Sequence, residues 1–169
     1  YKKLIDKQIG LMKTMTSELL AFARGDSTIF LRKIMVGRFI SELEELLSEV
    51  FSSAGVTLVV ETPYRGALRM DEGKMKRVVY NLARNALEAM SGQEDGQFKI
   101  RVEKTEGIVQ LSFSDNGPGI PEALSGRLFE AFVSYGKENG TGLGLALVKK
   151  IVDDHGARIT VSSPPDEGT

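Results

Sequence analysis

Apolar positions in residues 2–24 recur in steps of four and three at Ile5, Ile9, Met12, Thr16, Leu19 and Ala23. This spacing predicts the a/d seam of a bundle-forming helix. Leu4, Leu11, Met15, Leu20 and Phe22 widen the stripe beyond a two-helix seam. Such a helix needs a partner, either further helices of a bundle or its own domain. Gly25-Asp26-Ser27 then supplies a cap and a break, which predicts a hinge.

The pattern changes period several times after the hinge. Residues 28–34 are short and β-like, and 36–53 place Phe39, Ile40, Leu43, Leu46, Leu47 and Val50 on one helical face up to Gly55. A strand is expected at 56–61, a turn at 63–66, and a helix from Asp71 to about Met90 with Met75, Val78, Val79, Leu82, Ala86 and Ala89 buried. Alternation predicts strands at 98–104 and 108–114. A glycine-rich segment at 115–120, a short helical stretch to about Ala131 and a small-residue loop to Gly142 come next. An apolar helix to about His155 and a final strand at 158–162 complete the pattern. This order predicts one mixed sheet covered on one face by helices, an α/β two-layer sandwich preceded by a bundle-forming helix. Residues 1–25 and 26–169 are its two parts.

Composition narrows the chemistry. The 169 residues are 41% apolar, with 22 basic and 23 acidic side chains and a net charge of −1, so no electrostatic footprint for nucleic acid or an anionic membrane is present. The absence of cysteine excludes disulfides, thiolate nucleophiles and Cys-based zinc, and one histidine excludes a multi-His metal centre. No apolar run approaches the roughly 20 residues of a spanning helix, so membrane contact by this chain is not expected and a cytoplasmic location is. Because the chain begins at Tyr1 rather than Met, it reads as an excised fragment whose parent could carry an anchor elsewhere.

Three polar or glycine-rich strings interrupt the apolar elements. Within NLARNALEA at 81–89, Asn81, Asn85 and Glu88 fall at i, i+4 and i+7, one line along a helix whose other face is core. A carboxamide oxygen is a hard neutral ligand that can share Mg²⁺ with phosphate and water, although a solvated polar face has the same spacing. DNGPGI at 115–120 ends a strand; its carboxylate can accept from an exocyclic amine and its glycines admit a flat base, although such strings also make ordinary turns. GTGLGLA at 140–146 enters a helix, where free N–H groups and the helix dipole favour a polyphosphate. It matches neither the P-loop pattern nor the dinucleotide fingerprint.

In this order the strings resemble the GHKL superfamily of ATPases and kinases, and within it the catalytic domain of sensor histidine kinases. Residues 81–89 are similar to the family's N box, 115–120 to its first glycine box, FEAF at 129–132 to its F box and 140–146 to its second glycine box. The resemblance implies binding of ATP with Mg²⁺. Asp115 would take the adenine amino group, with Gly117, Gly119 and Ile120 forming the base pocket. Asn85 would hold the metal, and Asn81 would contact phosphate or metal-bound water. Gly140, Thr141, Gly142, Leu143 and Gly144 would cradle phosphates. Lys137 would be the cation for the β- and γ-phosphates, although it could equally be an exposed loop lysine; SYGK in place of the commoner TTK leaves its register open. Phe129 and Phe132 would pack the base of a lid over 133–139 that is mobile without nucleotide, or serve as plain core aromatics.

The hydrolytic relatives carry Glu at the position of Asn81 as a general base for water. A carboxamide cannot take that proton at neutral pH, which favours transfer to an imidazole that needs no base. The implied activity is therefore that of a protein-histidine kinase, with Asn81, Asn85 and Lys137 serving catalysis. An ATPase clamp or a nucleotide-binding pseudokinase scaffold are the alternatives. Residues 1–25 resemble the second helix of a dimerisation and phosphoacceptor hairpin, implying a homodimer and relay to a response regulator receiver domain. The acceptor histidine would lie upstream of Tyr1, and His155, before Gly156, is expected to be a structural or capping residue.

Overall fold

The computed structural model describes residues 28–124, 126–133, 141–163 and 168–169. The expected bundle helix and its hinge lie outside the described residues. Strand β1 (Arg32–Met35) leads directly into helix α1 (Val36–Ser53), which buries Val36, Phe39, Ile40, Leu43, Leu47 and Phe51. Leu46 and Val50, expected on that face, are about half exposed because the buried stripe is centred on Leu43 and Leu47 and leaves them on its flank. Gly55 ends α1 with φ of 72°, a left-handed conformation that costs glycine little. Val56 N–H then bonds back to Phe51 O at 3.0 Å.

The expected single sheet is divided in two. β1 pairs antiparallel with β3 (Ala67–Met70), Arg32 opposite Met70. A second sheet has the order β2 (Thr57–Glu61), β4 (Gln97–Thr105), β5 (Ile108–Asp115), with β2 parallel to β4 and β4 antiparallel to β5. Sequence reading missed β3 because Ala-Leu-Arg-Met has no β-branched residue. The β4–β5 hairpin turns on Glu106 and Gly107, both at positive φ (53° and 85°), the twist that matches flanking strands.

Phe98, Ile100 and Val102 of β4 point toward the helices and are buried, and the Phe98 and Phe51 rings stack at 5.1 Å. On the opposite face Glu61 bridges Lys99 and Arg101, both at 2.6 Å, and Arg101 also reaches Glu103. Half-exposed pairs of this kind add little stability but keep that side polar.

Helix α2 (Glu72–Ala89) begins at Asp71, whose Oδ1 accepts from Lys74 N–H at 3.1 Å. Ala89, expected to be buried, is exposed at the last turn of α2. Helix α3 (Gly144–Asp154) packs beside α2 through Val78, Leu147, Val148, Ile151 and Val152. His155 ties the two helices together. Its Nδ1 lies 2.7 Å from Ile151 O, so Nδ1–H donates there, while Nε2 accepts from Asp71 N–H at 3.0 Å. The ring caps one helix end and orients the start of the other.

Two further expectations fail. The helical stretch before Ala131 is a three-residue 3₁₀ turn, Glu122–Leu124, followed by turns. Residues 158–162 carry no strand hydrogen bonding; Ile159 packs on the α2–α3 cluster while Val161 stays exposed, so the alternating pattern has no partner strand among the described residues.

Candidate functional site

Helix α2 is the common wall of the two glycine boxes. At its C-terminal end, a β-carbon added to Gly117 would lie 2.8 Å from Asp115 Oδ1, 3.3 Å from Met90 Cγ and 3.6 Å from Ala89 Cβ. At its middle, a β-carbon on Gly144 would lie 2.9 Å from Asn81 Oδ1 and 3.6 Å from Arg84 Nη2. Each glycine thus leaves a small cradle against α2 that a side chain would fill. Asn81 and Ala89 are eight residues apart, about 12 Å along a helix, and Asn85 falls halfway between them. The strip of α2 between them, from the end of β5 to the start of α3, is the candidate groove.

At the β5 end, Asp115 Oδ1 accepts from Gly117 N–H at 3.0 Å. Burial pushes the Asp115 carboxyl above its usual range, opposed by hydrogen bonds from the Gly117 and Thr169 amides. Asn116 turns away from the groove: its Oδ1 accepts from Gln97 N–H and its Nδ2 donates to Asp95 O, which staples the turn. Gly119 takes a φ of 75°, and Ile120 N–H donates to Ser163 Oγ at 2.8 Å. Asp115 and Thr169 exchange both backbone hydrogen bonds, at 2.8 and 3.1 Å, with Gly168 pressed against the Asp115 carbonyl. The sequence reading missed Ser163, Gly168 and Thr169 because their contacts span about fifty residues and leave no local signal.

At the α3 end, Leu143 at the N-cap makes no side-chain cap bond, and Thr141 Oγ1 accepts from Leu143 N–H. Among the described residues, no side chain accepts from the first-turn amides of α3. Gly142, with φ of 66°, accepts from Phe132 N–H at 2.9 Å, so the F box and the second glycine box are pinned together. Phe132 is 67% exposed and Phe129 partly buried, which removes the core-aromatic alternative for Phe132. Asn81 Nδ2 donates to Arg77 O at 2.8 Å, leaving Oδ1 directed at Gly144. Lys137 and Gly140 lie outside the described residues, as does most of the expected lid.

These features can be set beside known proteins. Residues 70–169, more than half of the chain, match the model of the family described as histidine kinase-, DNA gyrase B- and HSP90-like ATPases. The chain belongs to this ATPase family. The C4-dicarboxylate transport sensor protein DctB of Rhizobium meliloti (strain 1021) is 44% identical over 96 residues, which is 57% of this chain and 15% of that protein. Full-length ShkA in complex with AMPPNP superposes with a TM-score of 0.78 at 26% identity, covering 92% of this chain and 33% of that one. Histidine kinase ThkA in complex with response regulator protein TrrA superposes with a TM-score of 0.73 at 26% identity, covering 91% and 43%. Within the ATPase family the chain is therefore of the sensor-histidine-kinase type, and it spans less than half of each relative's length. The family match contains the whole groove, from Asp71 at the α2 cap to Thr169.

Proposed function

We propose that this domain binds ATP with Mg²⁺ in the α2 groove and transfers the γ-phosphate to a histidine on a helical hairpin, for relay to a response regulator. The observation that carries the reading is the pair of glycine cradles opening onto the two ends of one helix face, with Asp115 at one end and the start of α3 at the other. Adenine fits the Asp115 end, where one carboxylate oxygen is held by Gly117 N–H and the carboxyl can accept from an exocyclic amine; Gly119 and Ile120 border it. The triphosphate fits the α3 end, with Thr141, Gly142, Leu143 and Gly144 around it; Gly140 and Lys137, just before them in sequence, are proposed to join them.

Bound Mg²⁺ would neutralise phosphate charge. Among the described residues no three Asp, Glu or His side chains gather in one place, so Asn85 with phosphate and water is the ligand set that fits. With its amide hydrogens turned to Arg77 O, Asn81 directs an oxygen at the phosphate end. That oxygen suits a metal-bound water or a lysine better than a phosphate oxygen. As a carboxamide it cannot serve as a base for water, which favours the kinase over the ATPase clamp. The superposition on a kinase bound to AMPPNP and on a kinase bound to a response regulator supports the nucleotide and the partner.

Residues 1–25 are proposed as the second helix of the hairpin that dimerises the parent protein, and the domain itself as cytoplasmic. No helix among the described residues is long and apolar enough to cross a membrane. Asp115→Asn tests the site: calorimetry should show ATP binding lost with the far-ultraviolet dichroism unchanged. Undiminished ATP binding would remove the adenine assignment.

A further inference from the structure

Residues beyond α3 return to the first glycine box and hold it at both ends. At its start, Asp115 and Thr169 exchange both backbone hydrogen bonds, at 2.8 and 3.1 Å, and a β-carbon on Gly168 would strike the Asp115 carbonyl oxygen. At its end, Ile120 N–H donates to Ser163 Oγ at 2.8 Å. The Ser163 hydroxyl in turn donates to Gly168 O at 2.8 Å. With its one hydrogen placed there, its 3.2 Å contact with Thr169 Oγ1 is accepted from the threonine. One partly buried hydroxyl therefore joins the far end of the box to the two residues that clamp its near end. Asn116 is held separately, by Gln97 N–H at 2.7 Å and Asp95 O at 2.9 Å, so the turn has a second anchor that does not involve Ser163.

We infer that Ser163 is a positioning residue for base selection: by tying Ile120 to the Gly168–Thr169 pair it fixes the backbone that carries the Asp115 carboxyl, and so enforces choice of a purine with an exocyclic amine. This rests on the ATP reading above. Gly117 N–H holds one carboxylate oxygen of Asp115, whereas Ser163 holds the two ends of the loop against each other. A hydrogen bond weakens steeply with misalignment, so an amine gains most from a carboxyl that cannot shift. A purine with a carbonyl in that place sets two acceptors face to face, and the penalty lasts only while the carboxyl is unable to move away. Loosening the Ser163 tie therefore costs the amine-bearing base and relieves the other.

The test measures the affinities of the 169-residue chain for Mg²⁺-ATP and for Mg²⁺-inosine triphosphate, which carries a carbonyl where adenine has its amine, by displacement of a ribose-labelled fluorescent nucleotide. The parent should prefer ATP by about tenfold to hundredfold, the range of a hydrogen bond to a charged group. Ser163→Ala should lower that ratio about tenfold. Ser163→Thr, which keeps the hydroxyl, and Asn116→Ala, which loosens only the turn, should each stay within about threefold of the parent's ratio. If Ser163→Ala does not fold, Ser163→Cys, with a weak donor and acceptor, is read by the same criterion. The inference is overturned if Ser163→Ala keeps the parent's ratio, including the case where both affinities fall in proportion, or if Ser163→Thr or Asn116→Ala loses as much selectivity. A parent that binds the two nucleotides alike, or neither, would instead defeat the adenine assignment itself and this inference with it.

Discussion

Asp115 and Asp71 are both hydrogen-bonded carboxylates, and their surroundings push them in opposite directions. Burial raises Asp115, and the bonds from the Gly117 and Thr169 amides only partly offset it. The folded state therefore holds the Asp115 proton more tightly than the unfolded chain, so stability falls as pH rises from the ordinary 3.8 through the higher folded value. At neutral pH the ionised carboxyl is a cost kept for its acceptor oxygens. Asp115→Asn, expected to lose ATP binding, should accordingly melt no lower than the parent at pH 7, and its advantage should vanish in acid; a lower melting point at pH 7 would contradict the burial argument. Asp71 is the reverse case. Burial there too favours the neutral acid, but the Lys74 and Phe30 amides outweigh it, so the carboxyl lies below its ordinary value of 3.8. Its stabilisation is present above that value and lost as pH falls toward the lower folded one. Asp71→Ala should cost about 1–2 kcal/mol at pH 7 by urea unfolding, and the gap should narrow in acid. At this scale the sequence was informative wherever one residue acts on its near neighbours. Asp71 was legible as a helix start and His155 as a capping residue. That His155 reaches Asp71, eighty-four positions away, was not.

At the scale of elements, the second glycine box separates two kinds of requirement for glycine. Gly142 needs its missing side chain for the fold: with φ of 66°, a β-carbon would meet the Phe132 carbonyl carbon at 2.5 Å, and backbone cannot step aside. Gly144 needs it for the groove, because the atom in the way is Asn81 Oδ1, the end of a movable side chain. Gly142→Ala should therefore destabilise the domain by roughly 1–3 kcal/mol. Gly144→Ala should keep the parent's thermal transition while ATP affinity drops about tenfold, the worth of one displaced hydrogen-bonding group. Equal thermal losses in the two variants would refute the distinction. Helices α1, α2 and α3 were legible because each has an unbroken 3.6-residue stripe and a glycine or aspartate at an end. Strand β3 has neither period nor β-branched residues and exists through its pairing with β1. Residues 158–162 have the period of a strand and no partner to pair with among the described residues. Strand formation is a property of pairs, so it is read less well from one segment than a helix is.

For the whole molecule, the groove demands an acceptor from outside it. Mixed with a helical hairpin carrying a histidine and with Mg²⁺-ATP, the chain should label that histidine in trans, detected as acid-labile, base-stable phosphate. Accumulation of inorganic phosphate with no labelled protein would favour the clamp-type ATPase instead. The chain by itself determined the helices, most strands, the mixed α/β character and the three strings along the groove, because glycine freedom, helix capping and periodicity are local properties of the backbone. Tertiary structure alone decided that the sheet divides in two, that α2 lies under both glycine boxes, and that Arg84 meets the start of α3. Those facts depend on which distant surfaces bury one another, and packing of that kind has no signature within any one segment.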